Sequence, residues 1–178
     1  VRVGAIYHDI GKLNKPLFFI ENQRSGINPH NDLKPEDSAE IIIQHISEGV
    51  DLARKYNLPE EIIDFIITHH GTTSVKYFYQ QFIENSNNSN NLDKFSYPGP
   101  IPTTKEQAVL MIADSVEAAS RSLKDKNHKK MDQLIDNIIN QYIKDEQFVN
   151  ASITFKDLND IRILFKKQIK AIYHPRIE

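Results

Sequence analysis

The chain has 178 residues, 39% hydrophobic and 26% charged, with a net charge of −2 and no cysteine. This length predicts one domain with a real core; the charge balance excludes a basic footprint for long nucleic acid. Disulfide frameworks and thiolate metal sites are excluded, as a reducing cytoplasm would allow, and no apolar run approaches the ~18 residues needed to span a membrane.

Val1 to Asp9 reads as the C-terminal end of a helix, closing on His8 and Asp9. A buried charge is costly unless it is paired or bound to metal, and imidazole and carboxylate both ligate zinc, iron or manganese. Gly11 reads as a C′ residue that ends the helix, and Lys12 brings a cation to that end. Leu13 to Lys34 is predicted to be irregular, broken by Pro16, Gly26, Pro29 and Pro35. Within it, Phe18, Phe19 and Ile20 are predicted to pack over the core. Asn22, Asn28 and His30 are either solvated or face a substrate.

Pro35 opens a long helix to about Tyr56, with Glu36 and Asp37 complementing its dipole. Ile41, Ile42, His45, Ile46, Gly49, Val50, Leu52 and Ala53 fall near helical spacing, so His45 lies on the buried stripe. A shorter helix, Pro59 to His70, is apolar on most sides and ends in His69-His70-Gly71. Neighbouring residues on a helix diverge by about 100°, but at a fraying end both imidazoles can turn toward one site.

Thr72 to Glu84 predicts a helix with an aromatic core face. Asn85 to Asn91 is low complexity and is expected to be mobile. Lys94 to Pro102 is a loop in which Tyr97 either stacks on a purine base or anchors the core. Thr104 and Gln107 form a capping box for a helix to about Leu123. Asp114 stands in its apolar run without a basic residue within one turn, which favours a metal partner. Arg121 follows two turns later and either reaches phosphate or pairs with Glu117. Two amphipathic helices, near Lys129 to Gln147 and Phe155 to Ala171, complete the chain, the second opened by a Thr154–Asp157 capping box. His128 and His174 read as ordinary. No repeat and no strand pattern is visible.

The order His8-Asp9, His45, His69-His70, Asp114 resembles the HD superfamily of metal-dependent phosphohydrolases. The strings YHDIGKLNKPLFFIENQ, IIIQHISEGVDLARKYNLPEEIIDFIITHHGTTSVKYFY, YPGP and ADSVEAASRSL narrow the resemblance. They are similar to the cytoplasmic HD domain of the seven-transmembrane, PgpH-type HD proteins, which hydrolyse cyclic di-AMP. The resemblance covers nearly the whole chain and implies a single compact all-α HD domain over residues 1–178. It implies two divalent transition-metal ions, iron or manganese, about 3.5–4 Å apart. His8 and Asp114 would hold one, with a further family histidine expected upstream of Val1; His45, His69 and His70 would hold the other, and Asp9 would bridge. Asp9 and Lys12 are the expected catalytic residues; Asn28, Tyr97 and Arg121 are the expected substrate contacts. The substrate would be cyclic di-AMP and the product pApA. The start at Val1 is expected of a fragment. The longer protein would be membrane-anchored, with this domain on the cytoplasmic face of the bacterial plasma membrane, and a homodimer is possible on this reading. Two alternatives stay open: another HD nucleotide phosphohydrolase, or a catalytically silent nucleotide-sensing helical domain.

Overall fold

The computed structural model describes residues 1–23, 28–86, 91–123, 125 and 127–173. Seven α-helices account for most of them: α1 Arg2–Tyr7, α2 Pro35–Lys55, α3 Glu60–Thr68, α4 Lys76–Ser86, α5 Lys105–Ser122, α6 His128–Lys144 and α7 Phe155–Tyr173. The all-α expectation is met. Among the described residues there is no strand, and one isolated antiparallel bridge joins Ser74 and Ser96. Most of the Asn-rich stretch 85–91, and His174, lie outside the described residues.

The helices fall into two compact units, Arg2–Pro100 and Ile101–Glu178, the latter with Val1. In the first, α2 is the central element. Pro35 stands in its first turn, Glu36 and Asp37 follow, and Arg54 and Lys55 close it, so charge matches the dipole at both ends. Its stripe of Ala39, His45, Ile46, Gly49 and Ala53 is buried. Ala53 packs with Ile63 and Ile66 of α3, and Ala39 with Phe78 and Phe82 of α4 and with Phe95. The segment read as irregular is a series of 3₁₀ turns, at Ile10–Asn14, Pro16–Phe18, Ile20–Asn22 and Pro29–Asp32. Phe19 is buried in it as expected, whereas Ile20 is exposed.

Gly11 has a different role from the one its position suggested. It lies inside the first 3₁₀ turn, and its φ is not positive. What it permits is contact: a Cβ there would sit 1.9 Å from the His45 carbonyl oxygen and 2.6 Å from Gly49 N. Gly11 and Gly49 let the turn after Asp9 lie directly on α2, beside His45. Gly71, with φ 52°, is left-handed instead and ends α3 just past the histidine pair.

In the second unit, α5 begins with the predicted capping box: Gln107 N–H donates to Thr104 Oγ1, and the Gln107 side chain accepts from Thr104 N–H. The Thr154–Asp157 box is present at the start of α7. Met111, Ile112, Val116, Met131, Ile135 and Ile139 form a continuous core with Leu158 and Ile169. Lys166 and Lys170 of α7 pair with Asp136 and Asp132 of α6 at 2.6 and 2.7 Å.

Candidate metal centre

Five of the expected ligands meet in the Arg2–Pro100 unit. His8 and Asp9 follow α1, His45 sits mid-α2, and His69 and His70 follow the last residue of α3. His69 keeps helical angles, φ −67° and ψ −17°, yet the His69 and His70 ring centroids are only 4.1 Å apart. The end of the helix therefore allows both rings to serve one place, as the sequence suggested. Two overlapping groups result: His45, His69 and His70, and His8, Asp9 and His69, each with ligand atoms within 4.8 Å of one another.

The orientation of the imidazoles decides what they can do. Nδ1 of His8, His45 and His69 lies 3.0, 2.5 and 2.8 Å from the backbone oxygens of Ala5, Ile42 and Ile66. A carbonyl only accepts, so each Nδ1 carries the hydrogen and each neutral ring leaves an Nε2 lone pair pointing inward. This outward anchoring of a metal-binding histidine fixes its tautomer and aim. The Nε2 atoms of His45 and His69 are 3.3 Å apart. Adjacent nitrogens sharing one cation at bond lengths of 2.0–2.1 Å are separated by about 3.0–3.4 Å, so the spacing fits a common ion.

Asp9 faces several of these nitrogens at once. Its Oδ1 lies 3.4 Å from His45 Nε2 and 3.6 Å from His69 Nε2, and is buried without accepting a hydrogen bond. Its Oδ2 lies 3.1 Å from His8 Nε2 and 2.7 Å from Lys12 Nζ. Burial alone would raise the Asp9 pKa; hydrogen bonds from His69 and His8 whenever their Nε2 atoms carry a proton, and the Lys12 ammonium, outweigh it and hold the carboxyl well below the usual carboxylate range. Burial, then the neighbouring His69, pushes His45 down to about 4. Burial, His69 and His45 push His70 down in the same way. Asp9 is thus held as a carboxylate and His45 and His70 as neutral imidazoles, the protonation states that metal binding requires of them.

Around these ligands, Tyr97 is only 8% exposed and stacks on His70, centroids 4.2 Å apart at 23°. One of its faces is therefore covered by a candidate ligand, in line with the anchoring reading. Phe19 packs edge-on against His45 at 5.7 Å. Lys12 also contacts Glu21 Oε1 at 2.7 Å and lies 5.1 Å over the Phe19 ring. Burial would lower the Lys12 pKa, but Asp9 and Glu21 raise it, so it stays charged. Glu21 was not singled out in the sequence; its pairing joins two 3₁₀ turns nine residues apart, and no helical or strand spacing signals it. Asn28 Oδ1 accepts from His30 N–H at 3.1 Å and from Gln23 Nε2 at 3.2 Å. Asp114 and Arg121 lie on α5 in the other unit, Asp114 half-buried and Arg121 paired with Glu117 at 2.5 Å.

The family model described as "HD domain" matches residues 1–119. The chain belongs to the HD-domain family. Its His and Asp groups can hold a divalent metal, as that family implies. This HD domain is 42% identical over 177 residues, 99% of its length, to a Bacillus subtilis protein named cyclic-di-AMP phosphodiesterase PgpH. It is 43% identical over 178 residues to the protein of that name from Listeria monocytogenes. It spans about a quarter of the length of each of these relatives (25%). Two crystal structures of the Listeria PgpH HD domain superpose on it with TM-scores of 0.91 and 0.93 at 42% identity, covering 97% and 99% of this chain and 81% of theirs. The second of those structures is a complex with cyclic di-AMP.

Proposed function

We propose that the chain is the catalytic domain, over residues 1–178, of a metal-dependent phosphodiesterase that hydrolyses cyclic di-AMP to pApA. The observation that carries the proposal is the inward convergence of Nε2 of His45 and His69 on Asp9 Oδ1. The names of the PgpH relatives supply the substrate.

Two bound cations, iron or manganese in this neutral-imidazole and carboxylate set, would supply Lewis-acid activation of water and of the phosphoryl oxygen. His45, His69 and His70 would hold one, and His8 with Asp114 would contribute to the other. Asp9 would bridge, a role supported by Oδ1 facing His45 and His69 while Oδ2 faces His8. Lys12, kept charged beside Asp9, would balance phosphate charge or aid the leaving oxygen. His70, braced by Tyr97, keeps its ring oriented. Water is the nucleophile on this reading, so the chain needs no nucleophilic serine or cysteine.

The same proposal places the longer protein in the bacterial plasma membrane, with this domain on the cytoplasmic side, as a homodimer. The relatives' much greater length supports a further, anchoring portion. No helix among the described residues is long and apolar enough to cross a membrane.

The test is product chromatography after incubation with cyclic di-AMP. Manganese or ferrous iron should produce pApA, and chelator should stop the reaction. Equal or faster turnover of a mononucleotide phosphate would overturn the substrate assignment.

A further inference from the structure

The Arg2–Pro100 unit carries a concavity of about 460 Å³ between the turn at Asn28–Asn31 and α4, within the size range of small-molecule sites. Its wall includes Asn28, His30, Asn31, Tyr77, Gln81 and Glu84. Among the described residues no lysine or arginine lines it, and the formal charge they present is that of Glu84, which disfavours a phosphate there. What remains is neutral, planar hydrogen-bonding chemistry. Asn28 Oδ1 is already engaged, which leaves its amide hydrogens to donate. Gln81 donates from Nε2 to Tyr77 Oη at 3.0 Å, which leaves its Oε1 to accept. Tyr77 is 66% exposed and offers a ring face.

His30 adds a second observation. Its Nε2 lies 2.9 Å from the Phe18 carbonyl oxygen, so Nε2 carries the hydrogen and Nδ1 is a bare acceptor. That Nδ1 is buried without a hydrogen-bond partner. The ring packs between Phe18 and Phe78, at 5.2 and 4.8 Å. The Nε2–H bond to Phe18 accounts for one edge of the ring and leaves Nδ1 as a buried acceptor that the packing does not use. Phe18, against which His30 packs, is followed by Phe19 on His45. One backbone step thus joins the concavity wall to the metal centre.

We infer that this concavity is a purine-base subsite, with Tyr77 as the stacking platform and Asn28, Gln81 and Glu84 reading the base edge. An exocyclic amine suits Gln81 Oε1 and Glu84, and a ring nitrogen suits the Asn28 amide. The identification of the base as one half of a dinucleotide substrate rests on the phosphodiesterase reading above; the site itself does not.

Adenosine, which carries no phosphate, is the direct probe. In amide-resolved NMR, millimolar adenosine should shift Asn28, His30 and Gln81 in the metal-free protein. Tyr77→Ala should weaken the binding by at least about fivefold, the low end for loss of one base stack. Gln81→Leu, on an otherwise intact α4, should weaken it as well. The absence of shifts, shifts centred elsewhere, or binding unchanged in both variants would overturn the inference. Kinetics separate the two proposals. Both variants should raise KM for cyclic di-AMP at least about fivefold while leaving turnover of bis(p-nitrophenyl) phosphate within twofold. Adenosine bound at these residues in a protein that hydrolyses no phosphodiester would keep the subsite and sink the enzymatic reading. Equal losses on both substrates would mean the variants damage the fold near the centre and would remove the base assignment.

Discussion

His45 and His69 aim their Nε2 atoms at each other across 3.3 Å, with the ionised Asp9 oxygen 3.4 and 3.6 Å away. Both rings have committed their hydrogens to helix carbonyls. Two lone pairs and a carboxylate therefore converge where no proton lies between them, an arrangement that favours a cation. Manganese at about a hundredfold over its Kd should stabilise the fold by about 2.7 kcal/mol. For a domain of this size that is a rise in Tm of about 5–10 °C. Differential scanning fluorimetry with and without the ion measures it. His45→Ala should lose most of the rise, and a flat wild-type response would contradict the reading.

Gly11 offers a test of how the site is assembled. The Cβ of an alanine there would meet backbone, the His45 carbonyl oxygen at 1.9 Å, and backbone cannot rotate aside. Gly11→Ala should cost about 3 kcal/mol or more, the upper range for overpacking, and should lower metal affinity by displacing Asp9 from His45. Denaturant unfolding together with metal titration checks both effects. A variant with wild-type stability would show that the Gly11–Gly49 contact is looser than described.

Tyr142 supplies a pH dependence within the Ile101–Glu178 unit. It is buried on α6 and hydrogen-bonded to Ser115. Burial pushes its pKa up, the Ser115 bond opposes that, and the charges of Asp114 and Asp145 add to the rise, from 10.0 to about 12. The folded state thus favours the protonated phenol. Its contribution is intact below the unfolded value near 10 and is lost as pH climbs from there to about 12. Two pKa shifts' worth of tenfold steps correspond to about 3 kcal/mol. Tyr142→Phe, which cannot ionise, should show a flatter fall in stability over that interval than wild type. It should lose about 1 kcal/mol at neutral pH with the hydrogen bond. Parallel slopes in urea titrations would refute the assignment.

Much of this molecule was legible where local rules decide. Pro35 with Glu36 and Asp37 marks the start of α2, and Thr104 with Gln107 marks α5, because both signals lie within one turn. The candidate ligand histidines could be picked out because polar residues stand on apolar elements. Contacts between distant turns were not legible. Gly11 followed by Lys12 looks like a helix stop, and only the approach of α2 reveals a packing role. The Lys12–Glu21 pair likewise depends on how two 3₁₀ turns meet. Tyr97 had two equal readings in sequence, and its stacking on His70 favours anchoring.

The role of Asp9 is tested most directly by counting metal in two variants. Asp9→Asn keeps the shape but removes the charge and one anionic oxygen that faces both halves of the histidine set. His45→Ala removes a ligand from one half. Neither should unfold the chain, because buried side chains such as Ile63, Ile66 and Met111, at roughly 1.5–3 kcal/mol each, lie outside the ligand set. Elemental analysis beside circular dichroism should therefore show native helix content in both and loss of cyclic di-AMP turnover in both. The larger fall in total metal is expected in Asp9→Asn. An Asp9→Asn protein that keeps as much metal as wild type and turns over normally would contradict the account.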